Sequence, residues 1–247
     1  MLYIKMPTTQ ELAKTAQATY NHKTPDGYSK IDELSSNDIH TYKHDTENHH
    51  IIAHRGTDLH ADTAKRDLKT DLRILLGKGS HTKVFKDRVK ETEKIVKTLK
   101  EKDPDTDIHL TGHSLGGSTA QNAMIKSKVV RDGITKLDTF NAGTSPLQTK
   151  GLAKTNPAYK EIARKATHHR IDGDDISGSA KVSLIGSHKT YKTNAKPSIA
   201  KSVLKYLKPH LQKTVVGKLA HFGADRIITT LGSHSLSNFT KSKPKVK

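Results

Sequence analysis

The sequence predicts an α/β protein whose central sheet is mostly parallel and is flanked by helices. Two observations predict this class. Short apolar segments of strand length alternate along the chain with longer segments in which apolar residues recur every three or four positions. No internal repeat or clear linker interrupts this alternation, and 247 residues suffice for a sizeable core. We therefore expect residues 1–240 to form a single domain, followed by a basic tail at residues 241–247.

The first part of the chain contains two predicted helices with one predicted strand between them. Residues Thr8–Tyr20 have the capping signal and the apolar spacing of an amphipathic helix. The apolar segment His49–Arg55 predicts a strand that ends at Gly56-Thr57. Residues Val84–Lys102 predict a charged amphipathic helix, which Pro104 ends.

The second part of the chain continues the alternation. A strand through Ile108 and Leu110 leads into a helix of small residues, Leu115–Lys128. Two further strands are predicted at Leu137–Asn141 and Thr167–Ile171, and the second opens into an acidic turn. Residues Ser198–Leu231 predict one or two helices.

Composition limits the chemistry that the chain can support. Hydrophobic residues make up 32% of the chain and aromatic residues 4%, so we expect a core of Ile, Leu, Val and Ala. Most of the sixteen histidines are expected at the solvated surface. The absence of cysteine excludes disulfides, thiolate metal ligands and cysteine nucleophiles.

The net charge of +18 favours anionic partners, such as nucleic acid, an acidic membrane surface or a polyanionic substrate. Lysines spread along the whole chain serve equally well to keep a protein in solution, and both interpretations stay open. The sequence contains no signal-peptide pattern and no run of about 18 apolar residues, so a cytoplasmic location is the default expectation.

The segment Asp107–Gly117, DIHLTGHSLGG, contains the pattern of a nucleophile elbow. In this pattern a strand ends at Gly-x-Ser-x-Gly, and the serine occupies a sharp turn that leads into a helix. The flanking glycines, Gly112 and Gly116, are needed because side chains there would collide with the neighbouring strand and helix. Ser114 is therefore the candidate nucleophile, and the N–H of Leu115 at the helix N-terminus is a candidate oxyanion donor.

Four segments, in order along the chain, are similar to the motifs of a known family. They are the strand ending in Arg-Gly-Thr (Ile51–Thr57), the Gly-His-Ser-Leu-Gly-Gly elbow (Gly112–Gly117), the strand end Thr139–Gly143 and the acidic segment Arg170–Ser177. The family is the class 3 lipases, which are α/β-hydrolases that include triacylglycerol lipases and phospholipases A1. The third segment departs from the family's Thr-Phe-Gly-x-Pro pattern, since Asn141 replaces the glycine and Gly143 the proline.

The resemblance implies a Ser-Asp-His triad, with chain order serine, acid, base. Ser114 would be the nucleophile, and the backbone N–H of Thr57 would be the second oxyanion donor beside that of Leu115. The acid would be Asp174, with Asp175 as an alternative because Ser177 replaces the usual proline; Asp172 is expected to be a turn residue. No metal or cofactor is implied.

The base is the least determined member of the implied triad. Four histidines follow the acid, and the resemblance favours His234, on a late loop near the C-terminus, over His188. The other two, His210 and His221, lie in the predicted helical segment. For Arg55 an ion pair is expected, with a carboxylate such as Asp67 or Asp71.

The implied reaction is hydrolysis of a carboxylic ester through an acyl-enzyme, with a lipid or other ester as substrate. Residues Asp58–Arg66, where the family often carries a lid, are short and polar, which weakens the case for activation on neutral fat. The lysine-rich segment Ser198–Leu231 could instead direct the protein to anionic phospholipid, as in a phospholipase. The alternative function is a basic protein that binds nucleic acid or an anionic membrane on a hydrolase fold with little or no catalysis.

Overall fold

A computed structural model describes residues 6–56, 83–143, 154–172, 174, 184–192 and 237–240. Within these ranges the chain forms a seven-stranded sheet whose strands lie side by side in chain order. The strands are β1 (Tyr28–Lys30), β2 (Ile39–His44), β3 (His49–His54), β4 (Asp107–His113), β5 (Lys136–Phe140), β6 (Ala166–Ile171) and β7 (Ser187–Tyr191). The helices are α1 (Thr9–Asn21), α2 (Lys83–Lys102), α3 (Leu115–Lys126), α4 (Lys128–Gly133), α5 (Pro157–Lys165) and α6 (Ser237–Thr240), and a short 3₁₀ helix spans Asp32–Leu34.

The sheet is mostly parallel, as predicted. Strands β3 to β7 run parallel to one another, whereas β1 and β2 form an antiparallel edge beside β3. The register pairs His54 with Gly112 and His113 with Phe140. The carboxyl ends of the parallel strands therefore meet at one edge of the sheet, which is where open α/β sheets place their sites.

The predicted helices α1, α2 and α3 and the strands β3 to β6 are confirmed, whereas β1, β2, β7, α4 and α5 lie in segments where the sequence predicts no element. Strand β2 shows why. Its residues His40 and Thr41 are as deeply buried as Ile39 and Tyr42, so the strand has no visible alternation of apolar and polar residues.

Helix α1 begins at a capping box. The Thr8 hydroxyl accepts a hydrogen bond from the Glu11 N–H at 3.2 Å, and the Thr8 N–H donates to the Glu11 carboxylate at 2.6 Å. These bonds satisfy two of the N–H groups at the start of the helix.

Among the described residues, no helix has both the length and the apolar character that a membrane span requires.

The two faces of the sheet carry separate cores. Adjacent residues of β3 illustrate this, since Ile51 belongs to the cluster with α1 and Ile52 to the cluster with α2, α3, α4 and α5. On the α1 side, Phe239 of α6 also joins the cluster and contacts Phe140 at a ring distance of 5.1 Å. Helix α1 therefore covers the face on which the C-terminal helix α6 is anchored.

The expectation that most histidines lie at the surface is wrong. Eight of the eleven histidines among the described residues are buried, so at most half of the sixteen lie at the surface. They are His40, His49, His50, His54, His109, His113, His168 and His169. Their side chains fill core volume that the low apolar content leaves to polar residues, and so the expected core of Ile, Leu, Val and Ala describes only part of the interior.

Hydrogen bonds to tyrosine make much of this burial possible. On the α1 face, four histidine rings bond a tyrosine hydroxyl at distances between 2.8 and 3.0 Å. The pairs are Tyr20 with His113, Tyr28 with His49, Tyr42 with His40 and Tyr191 with His169. Each pair satisfies two polar groups that burial would otherwise leave without water, which is the condition for placing them in a core.

Burial keeps at least four of the eight buried histidine rings neutral near pH 7. Desolvation lowers the pKa values of His40, His50 and His109 to about 4 and that of His168 to about 3. Neighbouring positive charges, such as those of Lys30 and Lys43, lower the first two pKa values further.

Acidification is expected to destabilise the fold steeply. A histidine with a lowered pKa in the folded state takes up a proton on unfolding, so stability falls as pH drops below the unfolded value of about 6.5. Each such group contributes about 1.4 kcal/mol per pH unit down to its folded pKa. His40, His50, His109 and His168 together predict a slope of about 5 kcal/mol per pH unit near pH 5.

Urea unfolding at several pH values between about 7.5 and 5 measures this slope. His109→Leu removes one of the four groups and is expected to reduce the slope by about 1.4 kcal/mol per pH unit. A free energy of unfolding that stays constant over this range would contradict the prediction.

Candidate active site

Ser114 lies at the turn between β4 and α3, with an unusual backbone conformation. Its φ of 56° and ψ of −123° lie outside the regions that L-residues favour, and it is one of only three non-glycine residues with positive φ among those described. Strand β4 ends at His113 and helix α3 begins at Leu115, so the turn occupies a single residue. Such strain in a serine persists only where the surrounding structure holds it.

The glycines on either side of Ser114 are required by close backbone contacts. A Cβ on Gly112 would lie 2.5 Å from the carbonyl carbon of Gly116. A Cβ on Gly116 would lie 2.1 Å from the carbonyl oxygen of His54 on β3, and one on Gly117 would lie 2.6 Å from the Cβ of Ala142. The glycines therefore let α3 approach β3 and β5 directly, as the sequence pattern predicts.

Backbone bonds hold the turn against the next strand. The Ser114 N–H donates to the carbonyl of Phe140 at the end of β5 at 3.0 Å, and the Ser118 N–H donates to the carbonyl of Ser114 at 3.2 Å. The Ser118 hydroxyl donates to the carbonyl of Gly143. Leu115 is the first residue of α3, so its N–H belongs to the first turn, where helix N–H groups have no partner within the helix.

A buried charge cluster supports the end of β3, next to the elbow. Arg55 and Arg88 both contact Asp38 Oδ1, at 3.4 and 3.3 Å, and Arg88 Nη1 donates to the carbonyl of Arg55 at 2.6 Å. The ion pair expected for Arg55 is thus present, and its carboxylate is Asp38. Asp67 and Asp71, which the sequence analysis named as partners, lie outside the described residues, and so does Thr57.

Behind the elbow, His54 connects helices α2 and α3. Its Nδ1 lies 3.0 Å from the hydroxyl of Thr119, and its Nε2 lies 2.9 Å from that of Thr92. The Thr92 hydroxyl donates to the Arg88 carbonyl at 2.6 Å, and so it accepts the His54 bond. Burial, reinforced by the Arg88 charge, holds the pKa of His54 well below its usual value, so this ring is a neutral structural group.

On the α1 side, Tyr20 covers the elbow. Its hydroxyl lies 2.9 Å from Nδ1 of His113, the residue before the candidate nucleophile. A Cβ on Gly56 would lie 2.0 Å from the same hydroxyl, so the end of β3 passes directly beneath it. The end of α1 and the carboxyl ends of β3 and β4 are therefore in mutual contact beside Ser114.

The candidate acid lies on a turn after β6. Asp174 is buried, with 1% of its surface exposed, and its N–H donates to the carbonyl of Ile171 at 3.2 Å. Asp172 is exposed, and its N–H donates to the carbonyl of Tyr191 at 2.8 Å. Asp172 thus lies where a turn residue was predicted, and Asp175 is outside the described residues.

Asn141 follows β5 in the place where the family motif has glycine. Its φ of 44° is in the left-handed region that favours glycine and that asparagine tolerates. Its N–H donates to the carbonyl of His169 at 2.8 Å, and its Oδ1 accepts from the N–H of Ile171 at 2.9 Å. The substitution therefore preserves the backbone conformation and adds a side-chain bond to β6.

Of the two histidines that are candidates for the base, only His188 is among the described residues. His188 lies within β7, opposite His168, with the ring centroids 5.1 Å apart and its Nε2 3.2 Å from the carbonyl of Leu184. It precedes the carboxyl end of β7 by three residues. His234 lies outside the described residues.

Several predicted features fall on residues that the structure does not describe. These are the polar segment 58–66, the lysine-rich segment 198–231 and the basic tail 241–247.

Among the described residues, no three His, Asp or Glu side chains are grouped so that they could hold a metal ion.

Sequence reasoning missed one buried polar network near the acid turn. His169 lies between Asp138 Oδ1, 2.7 Å from its Nε2, and the Tyr191 hydroxyl, 2.8 Å from its Nδ1. Burial alone would raise the pKa of Asp138, but the bond to His169 and the charge of Lys136 lower it. The only sequence signal was the position of these residues inside strand-like segments, where polar residues need partners.

Solved lipase structures are similar to the chain at low sequence identity. Lip2 lipase from Yarrowia lipolytica is 16% identical over 74% of this chain and 77% of its own, with a TM-score of 0.49. A fungal lipase–inhibitor complex, described as a model for interfacial activation in lipases, is 17% identical over 75% and 81% of the two chains, with a TM-score of 0.49. Rhizomucor miehei lipase with its propeptide is 16% identical over 73% and 66%, with a TM-score of 0.46. No curated protein matches the chain.

The model of the class 3 lipase family matches residues 51–154, which contain the Arg-Gly-Thr strand end, the elbow and the strand end at Asn141. The resemblance seen in the motifs is thereby confirmed: over residues 51–154 the chain matches the class 3 lipase family, and its helix-flanked, mostly parallel sheet with a serine at the strand-to-helix turn is an α/β-hydrolase fold.

Proposed function

We propose that the protein is a serine esterase that hydrolyses carboxylic ester bonds of lipids through the triad Ser114, Asp174 and His234 and an acyl-enzyme. The family match supports lipid ester hydrolysis as the general activity. The observation that carries the proposal is the backbone of Ser114, whose φ of 56° is held at a turn that only glycine neighbours permit. A structural serine in a loop needs neither the strain nor the close contacts.

In the proposed mechanism, His234 removes the proton of the Ser114 hydroxyl as the oxygen attacks the ester carbonyl. The tetrahedral intermediate collapses when the imidazolium protonates the leaving alcohol, which leaves an acyl-enzyme. Water, activated by the same imidazole, then releases the acid. The N–H groups of Leu115 and Thr57 would stabilise the oxyanion, at about 3 kcal/mol each.

Burial supports Asp174, rather than its neighbour Asp172, as the acid. A carboxylate that orients an imidazole and stabilises its charge acts most strongly away from water. Asp174 is 1% exposed and follows β6, whereas Asp172 is exposed. Asp175 stays the alternative to Asp174.

Two observations support His234 over His188. His188 is part of β7 and packs on the buried His168 ring, which commits it to the sheet. Phe239, five residues after His234, is buried against Phe140 and Tyr191 at the carboxyl ends of β5 and β7. Five extended residues span at most about 17 Å, and an anchor at Phe239 therefore supports a base that lies five positions earlier in the chain.

The net charge of +18 favours substrates on an anionic surface. A phospholipase A1-type activity is therefore the variant of the proposal that the charge supports. The same charge supports the alternative, a basic protein that binds nucleic acid or an anionic membrane with little or no catalysis.

Ser114→Ala is expected to reduce hydrolysis of p-nitrophenyl esters by about three orders of magnitude or more, because the nucleophile is lost while the fold is kept. Short- and long-chain esters are compared in parallel, and Ser29→Ala, at an exposed serine of β1, serves as the control that should keep wild-type activity. Preference for the long chain would indicate a lipase, and preference for the short chain an esterase.

Hydrolysis that persists in Ser114→Ala would contradict the proposed nucleophile. A folded wild-type protein that hydrolyses neither ester, yet is retained on DNA or on anionic vesicles equally well with and without Ser114, would establish the binding alternative.

Asp174→Asn is expected to lower kcat by about 10⁴, since the amide no longer stabilises the imidazolium. Asp172→Asn is the matched control and is expected to keep kcat within about twofold, because that carboxylate is exposed. Steady-state kinetics with a soluble ester measure both variants. A loss of this size in Asp175→Asn, with Asp174→Asn active, would assign the acid to the neighbouring residue.

His234→Ala is expected to abolish turnover to about the level of Ser114→Ala, because base and nucleophile act as one unit. His188→Ala is expected to lose some stability, through the His168 contact, and to keep its kcat. The comparison requires kinetics together with thermal unfolding of both variants. An active His234→Ala beside an inactive but folded His188→Ala would reverse the assignment.

A further inference from the structure

The candidate nucleophile and the candidate acid are carried by strands that do not touch each other. Ser114 follows β4 and Asp174 follows β6, and β5 lies between these strands in the sheet. Their relative position therefore depends on how the end of β5 is fastened to its two neighbours.

A backbone hydrogen bond joins the end of β5 to the nucleophile elbow. The β4–β5 register ends where His113 pairs with Phe140. The Ser114 N–H donates to the Phe140 carbonyl at 3.0 Å, so the strained residue is bonded to the last residue of β5.

Asn141, the residue after Phe140, joins the end of β5 to β6, which carries the candidate acid turn. The β5–β6 register ends where Phe140 pairs with His169. Beyond that point, the Asn141 N–H donates to the His169 carbonyl at 2.8 Å, and the Asn141 side chain accepts from the Ile171 N–H at 2.9 Å. The side chain thus continues the ladder for one more step than the backbone does.

The acid turn begins at the residue that Asn141 holds. Ile171 is the last residue of β6, and its carbonyl accepts the N–H of Asp174 at 3.2 Å. Three hydrogen bonds, together with the peptide bond between Phe140 and Asn141, therefore connect Ser114 with Ile171 and Asp174.

The residue type matters at this position. With φ at 44°, residue 141 needs a side chain that tolerates the left-handed region, and glycine and asparagine are the usual solutions. Glycine, which the family motif has here, would provide the conformation but no acceptor for Ile171. Asn141 is fully buried, so its amide oxygen serves this bond without competition from water.

We propose that Asn141 is a positioning residue that fixes the acid turn relative to the nucleophile elbow through its side-chain bond to Ile171. The inference rests on the proposed triad function of Ser114 and Asp174. Asn141 has no proposed contact with substrate; it acts through the geometry of the two groups. Its removal should therefore slow the chemical steps more than it weakens substrate binding.

The test uses Asn141→Gly, which allows the same backbone conformation and removes the side chain that carries the acceptor. Thr41→Val is the matched control. Thr41 is also fully buried, and its hydroxyl donates one bond, at 2.5 Å, to the backbone carbonyl of Leu34. Each variant therefore leaves one buried backbone group without its side-chain partner, but Thr41 lies on β2, away from the elbow and the acid turn.

Two measurements are made on both full-length variants and the wild type. Amide hydrogen exchange reports on the bond itself, without any need for catalysis: the Ile171 N–H should exchange about tenfold faster in Asn141→Gly and at the wild-type rate in Thr41→Val. Kinetics with a soluble ester should show kcat about tenfold lower in Asn141→Gly, with KM unchanged, and both constants unchanged in Thr41→Val.

Unchanged exchange at Ile171 in Asn141→Gly would overturn the proposal, because the bond would then not hold the turn. So would faster exchange with an unchanged kcat, because the bond would then be structural alone. A wild type without Ser114-dependent hydrolysis overturns the proposed function, and the positioning role with it, whereas the exchange result still shows whether Asn141 ties β5 to β6. The two failures are thus distinguishable.

Discussion

The direct contact between helix α3 and strand β3 is the constraint on which the rest of the site depends. A single Cβ at Gly116 would lie 2.1 Å from the His54 carbonyl oxygen, so the helix backbone rests on the strand without an intervening side chain. This approach forces the chain to turn within one residue, and Ser114 takes the strained conformation that results. It also brings the end of β3 to the first turn of α3, which contains the candidate oxyanion donor Leu115.

Polar residues support that contact from both sides. Beneath the elbow, Arg88 reaches from α2 to Asp38 and to the Arg55 carbonyl, and His54 bonds threonines of two helices. Above it, Tyr20 bonds His113. A chain with few apolar residues thus fills part of its interior with histidines, most of which are bonded to hydroxyl groups. Every such pair satisfies buried polar atoms, and the arrangement links the stability of the site to the protonation state of the core.

Local patterns made the elbow predictable from the sequence, whereas contacts between residues that are distant along the chain could not be predicted from it. The Gly-x-Ser-x-Gly pattern spans five consecutive residues, Gly112–Gly116, and the capping box of α1 spans four. Asp38, which pairs with Arg55, immediately precedes β2, a strand that its buried polar residues made unrecognisable in the sequence. The replacement of glycine by Asn141 looks like a mere departure from the motif until the bond to Ile171 is seen.

The central claim is that the strained serine is a nucleophile. Its most direct test is to treat the folded protein with a fluorophosphonate and to map the modified residue by tandem mass spectrometry. Trypsin releases Asp103–Lys126, which contains Ser114 and Ser118 in one peptide, so fragmentation distinguishes the two. We predict a single phosphonate on Ser114, because in the proposed triad that hydroxyl is the one that a base activates beside the oxyanion donors. Modification at Ser118, scattered modification or none at all in the folded protein would contradict the account.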